Sequence, residues 1–229
     1  MADLRRHRFE VSSDAGEVSA LLLRPPNAWC GYVFAHGAGA GSEHPFMEAV
    51  AKGLGRRGVA TFRFQFPYME QGRRAPDPAR VLIQSVRSAV SEAAKLWPEL
   101  PLLAGGKSMG GRMTSTAAAG DALPGVLGLA FFGFPLHAAG RPSAERGAHL
   151  ADVSLPMLFL QGTRDTLADL GLLEPLVRKL RPTPTLHTVE GADHGFHVLK
   201  RSGRTDEEVL EELLQTFVEW AGPVSGTRP

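Results

Sequence analysis

Four short segments of the chain stay apolar without alternating, Gly31–Ala35, Leu100–Gly105, Gly125–Phe132 and Leu155–Gln161, and Gly58–Phe64 reads as a strand between the first two. A strand with one wet face would read apolar-polar-apolar, so these runs predict strands covered on both faces. Thr185–Glu190 closes the series as a further strand. Ahead of them, Arg8–Val11 and Glu17–Leu23 flank the polar turn Ser12–Gly16 and predict an antiparallel edge.

The segments between these strands carry helical spacing. His44–Arg57 and Arg112–Ala119 are helix-prone, and Leu82, Val86, Ala89, Ala93 and Trp97 recur every three or four residues. The helix carrying the Leu82–Trp97 stripe is expected to open with Asp77 as its cap and Pro78 in the first position, where the missing N–H costs nothing. A last helix is marked by Thr205 and Glu208 as a capping box and by the stripe Leu210, Leu213, Leu214, Phe217 and Trp220. Gly222-Pro223 is expected to stop it. Strands alternating with helices predict an α/β fold: a mostly parallel, doubly wound sheet with helices on both faces. One domain over residues 1–221 and a frayed tail over 222–229 follow. Residues 133–154 are too few for a lid of several helices, so the site is expected to be open.

Charge narrows the partners. With 25 basic and 24 acidic residues the net charge is +1, which favours neither nucleic acid nor an acidic membrane surface. Gly, Pro and charges interrupt every apolar segment before the roughly 18 to 20 residues a bilayer span needs. The single cysteine, Cys30, excludes an internal disulfide, and Met1–Arg8 lacks the apolar run of a secretory signal, so a cytoplasmic location is the expectation. No HExxH or similar spacing appears among the eight histidines, and neither metal nor cofactor is expected.

The chemistry gathers around Gly106-Lys107-Ser108-Met109-Gly110, placed between a predicted strand and a predicted helix. A sharp strand-to-helix corner strains the residue at its apex, and only small flanking residues fit; this is the physical content of the G-x-S-x-G nucleophile elbow. Five such residues in a glycine-rich chain mean little alone, but the strand-helix context fits the mechanism. A serine hydroxyl needs a base, and the base needs an acid to fix its tautomer. Catalytic groups in such sheets collect at the carboxyl ends of strands. Asp165, in Gly162-Thr163-Arg164-Asp165, and His194, in Gly191-Ala192-Asp193-His194-Gly195-Phe196, are the acid and base candidates in the order Ser, Asp, His. Asp169, Asp193, His197 and His36 compete with them.

The loop His36-Gly37-Ala38-Gly39-Ala40-Gly41 follows the first buried strand. There a backbone N–H of Ala38 or Gly39 is expected to face that of Met109 across an oxyanion hole. A phosphate cradle is the alternative, but the Walker pattern is absent. Tyr68, Met69, Phe134 and His137 are pocket candidates by their loop positions.

These segments together resemble the α/β-hydrolase superfamily over nearly the whole chain. More narrowly, His36–Gly41, Arg63–Pro76, the GKSMGGR stretch Gly106–Arg112, Gly162–Asp165 and Asp193–Phe196 resemble the branch containing testis-expressed protein 30 and a subunit of a histone acetyltransferase complex. Bacterial dienelactone-hydrolase-like proteins are similar. The resemblance implies Ser108 as nucleophile, Asp165 as acid, His194 as base, and Met109 with the Ala38 region as oxyanion donors. The sequence departs from dienelactone hydrolases proper, which carry Cys at the elbow, and from haloalkane dehalogenases, which carry Asp. The expected activity is hydrolysis of small-molecule carboxylic esters or thioesters through an acyl-enzyme. An amide or peptide hydrolase with the same three groups, or an idle scaffold binding partners through Phe66–Met69, Arg73 and Arg74, are the alternatives.

Overall fold

The computed structural model describes residues 3–227. Its strands are β1 (Asp3–Ser12), β2 (Gly16–Arg24), β3 (Cys30–Ala35), β4 (Val59–Phe64), β5 (Leu102–Lys107), β6 (Val126–Phe132), β7 (Met157–Gly162) and β8 (Thr185–Val189). Its helices are α1 (Pro45–Arg56), α2 (Pro67–Glu70), α3 (Ala79–Leu96), α4 (Met109–Gly120), α5 (Leu170–Lys179) and α6 (Asp206–Ser225). The strands form one sheet in the order β1-β2-β4-β3-β5-β6-β7-β8. β1, β2 and β4 pair antiparallel, and every pairing from β4 through β3 to β8 is parallel.

The unalternating runs are explained by two cores, one on each face. Along β3, Tyr32 and Phe34 pack toward α1 and α6, whereas Val33 and Ala35 pack toward α3 and α4. Along β5, Leu103 joins the first of these cores, while Leu102 and Ala104 join the second. The expected α3 stripe of Leu82, Val86, Ala89, Ala93 and Trp97 is buried throughout. In α6, Leu213, Leu214 and Phe217 are fully buried, while Leu210 and Trp220 sit half-buried at the core's margin.

Three local expectations need correction. Tyr68 and Met69 lie in a helix rather than a loop, because Pro67 starts the short helix α2. Asp77 does not cap α3. Its carboxylate accepts from the backbone N–H of Tyr68 at 2.8 Å and from Arg73 at 2.5 Å, and Pro78 takes the cap position. Pro223 does not end α6, since a proline in a last turn forfeits one hydrogen bond and the helix continues to Ser225. The stop is Gly226, whose φ of +69° supplies the left-handed cap, and Gly222 and Ser225 are buried rather than frayed. Between β6 and β7 lies only a 3-10 helix, Glu145–Asp152, and no large lid domain. No helix among the described residues is long and apolar enough to cross a membrane.

Candidate active site

Ser108 occupies the corner between β5 and α4 with φ +53° and ψ −120°. Such geometry is strained for any residue with a side chain. The flanking glycines make the corner possible. A Cβ at Gly106 would lie 2.5 Å from the carbonyl oxygen of Ala35, and one at Gly110 would lie 2.3 Å from the same atom. Neither position has room for alanine.

His194 follows β8, and its Nε2 stands 2.9 Å from Ser108 Oγ. Asp165 follows β7, and its Oδ2 stands 2.7 Å from His194 Nδ1. A carboxylate can only accept, so Nδ1 carries the proton and the Nε2 lone pair faces the serine hydroxyl. The Asp165 side chain is 0% exposed and that of His194 25%. The buried carboxylate also accepts from Gln161 Nε2 at 2.5 Å and from the backbone N–H of Leu167 at 2.7 Å. Gln161 was invisible to motif reasoning. It lies inside a buried strand, and its amide oxygen holds the N–H of Phe134 at 2.9 Å.

The glycine-rich loop is pinned from beneath. His36, fully buried, donates from Nδ1 to the carbonyl of Gly37 at 2.7 Å and accepts from the N–H of Phe66 at 3.1 Å. Burial pushes its pKa down to about 4, which keeps the ring neutral. Gly39 is not a free oxyanion donor, because its N–H is given to the hydroxyl of Tyr68 at 3.2 Å. Ala38 N–H makes no hydrogen bond among the described residues, and Met109 N–H is an orphan at the first position of α4.

A cavity of about 760 Å³ opens over Ser108 and His194. Its apolar wall comes from Phe46 and Met47 of α1, Leu167, Phe196, and Leu210 and Leu213 of α6. None of the four expected pocket residues lines it. Tyr68 turns inward to hold Gly39, and Met69 packs beside Gly41. Phe134 is fully buried against Phe131 and Phe159. His137 accepts from the N–H of Asp169 at 2.8 Å and borders a separate hollow with Arg164.

The competing carboxylates and histidines have other work. Asp169 caps α5 through Gly171 N–H at 2.7 Å, and Asp193 accepts from the N–H groups of Gly195 and His197. His197 pairs with Asp206 at 2.6 Å. A second serine-histidine contact, Ser115 with His149 at 2.7 Å, has no carboxylate on the imidazole among the described residues, and Ser115 is 0% exposed within α4. It is closed to substrate. No cluster of three or more metal-ligating side chains occurs among the described residues.

Known structures share this fold. Dienelactone hydrolase from Anabaena variabilis is 20% identical with a TM-score of 0.72, over 94% of this chain and 98% of that one. A serine hydrolase without lid from Xanthomonas campestris is 19% identical with a TM-score of 0.73, over 95% of each chain. Est1E from Butyrivibrio proteoclasticus, with ferulic acid bound, is 18% identical with a TM-score of 0.74, over 92% and 98%. None of these names the narrower branch around testis-expressed protein 30. A family model described as an alpha/beta hydrolase domain matches residues 30–222. With elbow, sheet order and that match in agreement, the chain belongs to the α/β-hydrolase family.

Proposed function

We propose that this hydrolase cleaves esters or thioesters of apolar acyl groups, with Ser108 as nucleophile, His194 as general base and Asp165 as its orienting acid. One observation carries the reading: a continuous hydrogen-bonded line from Ser108 Oγ through the imidazole to a buried carboxylate, with contacts of 2.9 Å and 2.7 Å. His194 Nε2 takes the hydroxyl proton as Oγ attacks the carbonyl carbon. The tetrahedral oxyanion is met by the N–H groups of Ala38 and Met109, and Asp165 stabilises the imidazolium. His194 returns the proton to the leaving alcohol or thiol. It then activates water to release the acid and restore the serine.

The acyl class is argued from the cavity. Its volume of about 760 Å³ falls within the usual range for small-molecule sites, and its wall is aromatic and aliphatic. Est1E, similar in fold, binds ferulic acid, itself an aromatic acid, which is consistent with such a pocket. The test is a fluorophosphonate probe followed by peptide mass spectrometry, with p-nitrophenyl esters of increasing acyl length. Modification at Ser108, lost in Ser108→Ala, together with rising kcat/KM from acetate to longer or aromatic acyl groups, is the expected outcome. An unmodified Ser108 in folded protein refutes the catalytic assignment.

A further inference from the structure

Lys107 lies one residue before Ser108, yet its side chain serves the opposite side of the site. Its Nζ donates to the backbone carbonyl of His194 at 2.6 Å. β6 and β7 stand between β5 and β8, so this single bond ties the corner carrying the serine to the loop carrying the imidazole. Glycine at position 133 leaves the path open, since a Cβ there would fall 2.9 Å from Nζ.

The loop held in this way is strained. Phe196, two residues past His194, has φ +66°, and among the described residues only Ser108 shares a positive φ without being glycine. A non-glycine residue keeps such backbone only where its surroundings impose it. The Phe196 ring stacks on Phe46, with centroids 5.7 Å apart and planes 12° from parallel. The Lys107 ammonium sits 5.3 Å from the first ring and 5.7 Å from the second, within cation–π range of both. Lys107 is 9% exposed, and burial lowers its pKa to about 8, against the pull of the Asp165 and Asp193 carboxylates. An apolar side chain would fill this space without the desolvation penalty of a buried charge. The proposed acyl transfer gives the cation no covalent or proton-transfer task.

We propose that Lys107 is a positioning residue: its ammonium, through the His194 carbonyl and the Phe196 ring, holds the imidazole loop in the conformation that sets Nε2 against Ser108 Oγ. Its effect on rate rests on the acyl-transfer reading; the clamp on the loop does not.

Lys107→Met and Lys107→Arg, compared with the parent, test it through two independent readouts. Hydrogen–deuterium exchange across residues 191–199 should rise at least about tenfold in Lys107→Met, with sheet and helix peptides unchanged, and move back toward the parent in Lys107→Arg, which keeps a cationic donor. The rate of fluorophosphonate labelling at Ser108 and kcat on an apolar ester should fall about ten- to a hundredfold, with KM within about twofold. The melting temperature of Lys107→Met should be no lower than the parent's, because a buried charge is gone. Unchanged exchange in the loop overturns the clamp, and faster exchange with an unchanged labelling rate overturns the positioning role. General loosening with a fall in melting temperature makes Lys107 a merely structural residue and overturns the proposal too. A parent that is not labelled at Ser108 defeats the acyl-transfer reading instead, and loop exchange then decides the clamp alone.

Discussion

Acid should unlatch the glycine-rich loop after β3 through one buried imidazole. His36 donates to Gly37 and accepts from Phe66 N–H, so only the neutral ring with its proton on Nδ1 satisfies both partners. Protonating Nε2 would set one N–H against another inside a fully buried pocket. The folded-state pKa is accordingly lowered to about 4, against 6.5 for a free imidazole. Above pH 6.5 neither state binds this proton, and the group adds no pH dependence. Between 6.5 and 4 the unfolded chain takes the proton and the folded one does not, so stability falls as the pH drops through that window. The gap corresponds to about 3 kcal/mol, complete near pH 4. His36→Gln supplies an oxygen for Phe66 N–H and does not titrate. Urea unfolding followed by circular dichroism at several pH values from 7.5 to 4 measures the difference. The parent should lose about 3 kcal/mol more than the variant across the window, since all carboxylates are common to both. Parallel stability curves for the two proteins would refute the reasoning.

Gly110→Ala should destabilise by about 3 kcal/mol, at the upper end for overpacking, because the new Cβ meets backbone at 2.3 Å; chemical denaturation reads this directly. Asp165→Asn should keep KM and lower kcat about 10⁴-fold, since an amide can donate to Nδ1 and hold the wrong tautomer; steady-state kinetics on an apolar ester decide it. Tyr68→Phe frees the N–H of Gly39 from a bond worth about 1 kcal/mol and should lower kcat roughly tenfold by loosening the loop, with little change in KM. With its pKa lowered from 10.5 to about 8, the folded Lys107 binds fewer protons than the unfolded chain between those values, so its contribution to stability rises with pH there. Lys107→Met should remove that slope and recover up to about 3 kcal/mol at neutral pH, less the lost hydrogen bond, as measured by urea titration.

Local chemistry determined the strands, the strand-to-helix corner and the order of Ser108, Asp165 and His194 along the chain. A strand buried on both faces is apolar at nearly every position, which makes Gly31–Ala35 and Gly125–Phe132 legible without any partner in view. A corner with no space for Cβ demands glycine at 106 and 110, and the G-x-S-x-G pattern is that demand written out. Tertiary packing decided everything that depends on which side chains meet across the sheet. Loop position could not show that Tyr68 turns inward to take the N–H of Gly39, or that Phe134 belongs to the core. The cavity wall combines Phe46 with Leu210 and Leu213, residues from opposite ends of the chain whose spacing reads only as helix stripes. Gln161 and Lys107 escaped for the same reason. Backbone conformation follows from near neighbours and leaves a signature along the sequence, whereas a pocket or a hydrogen bond across strands exists only once distant segments are packed together.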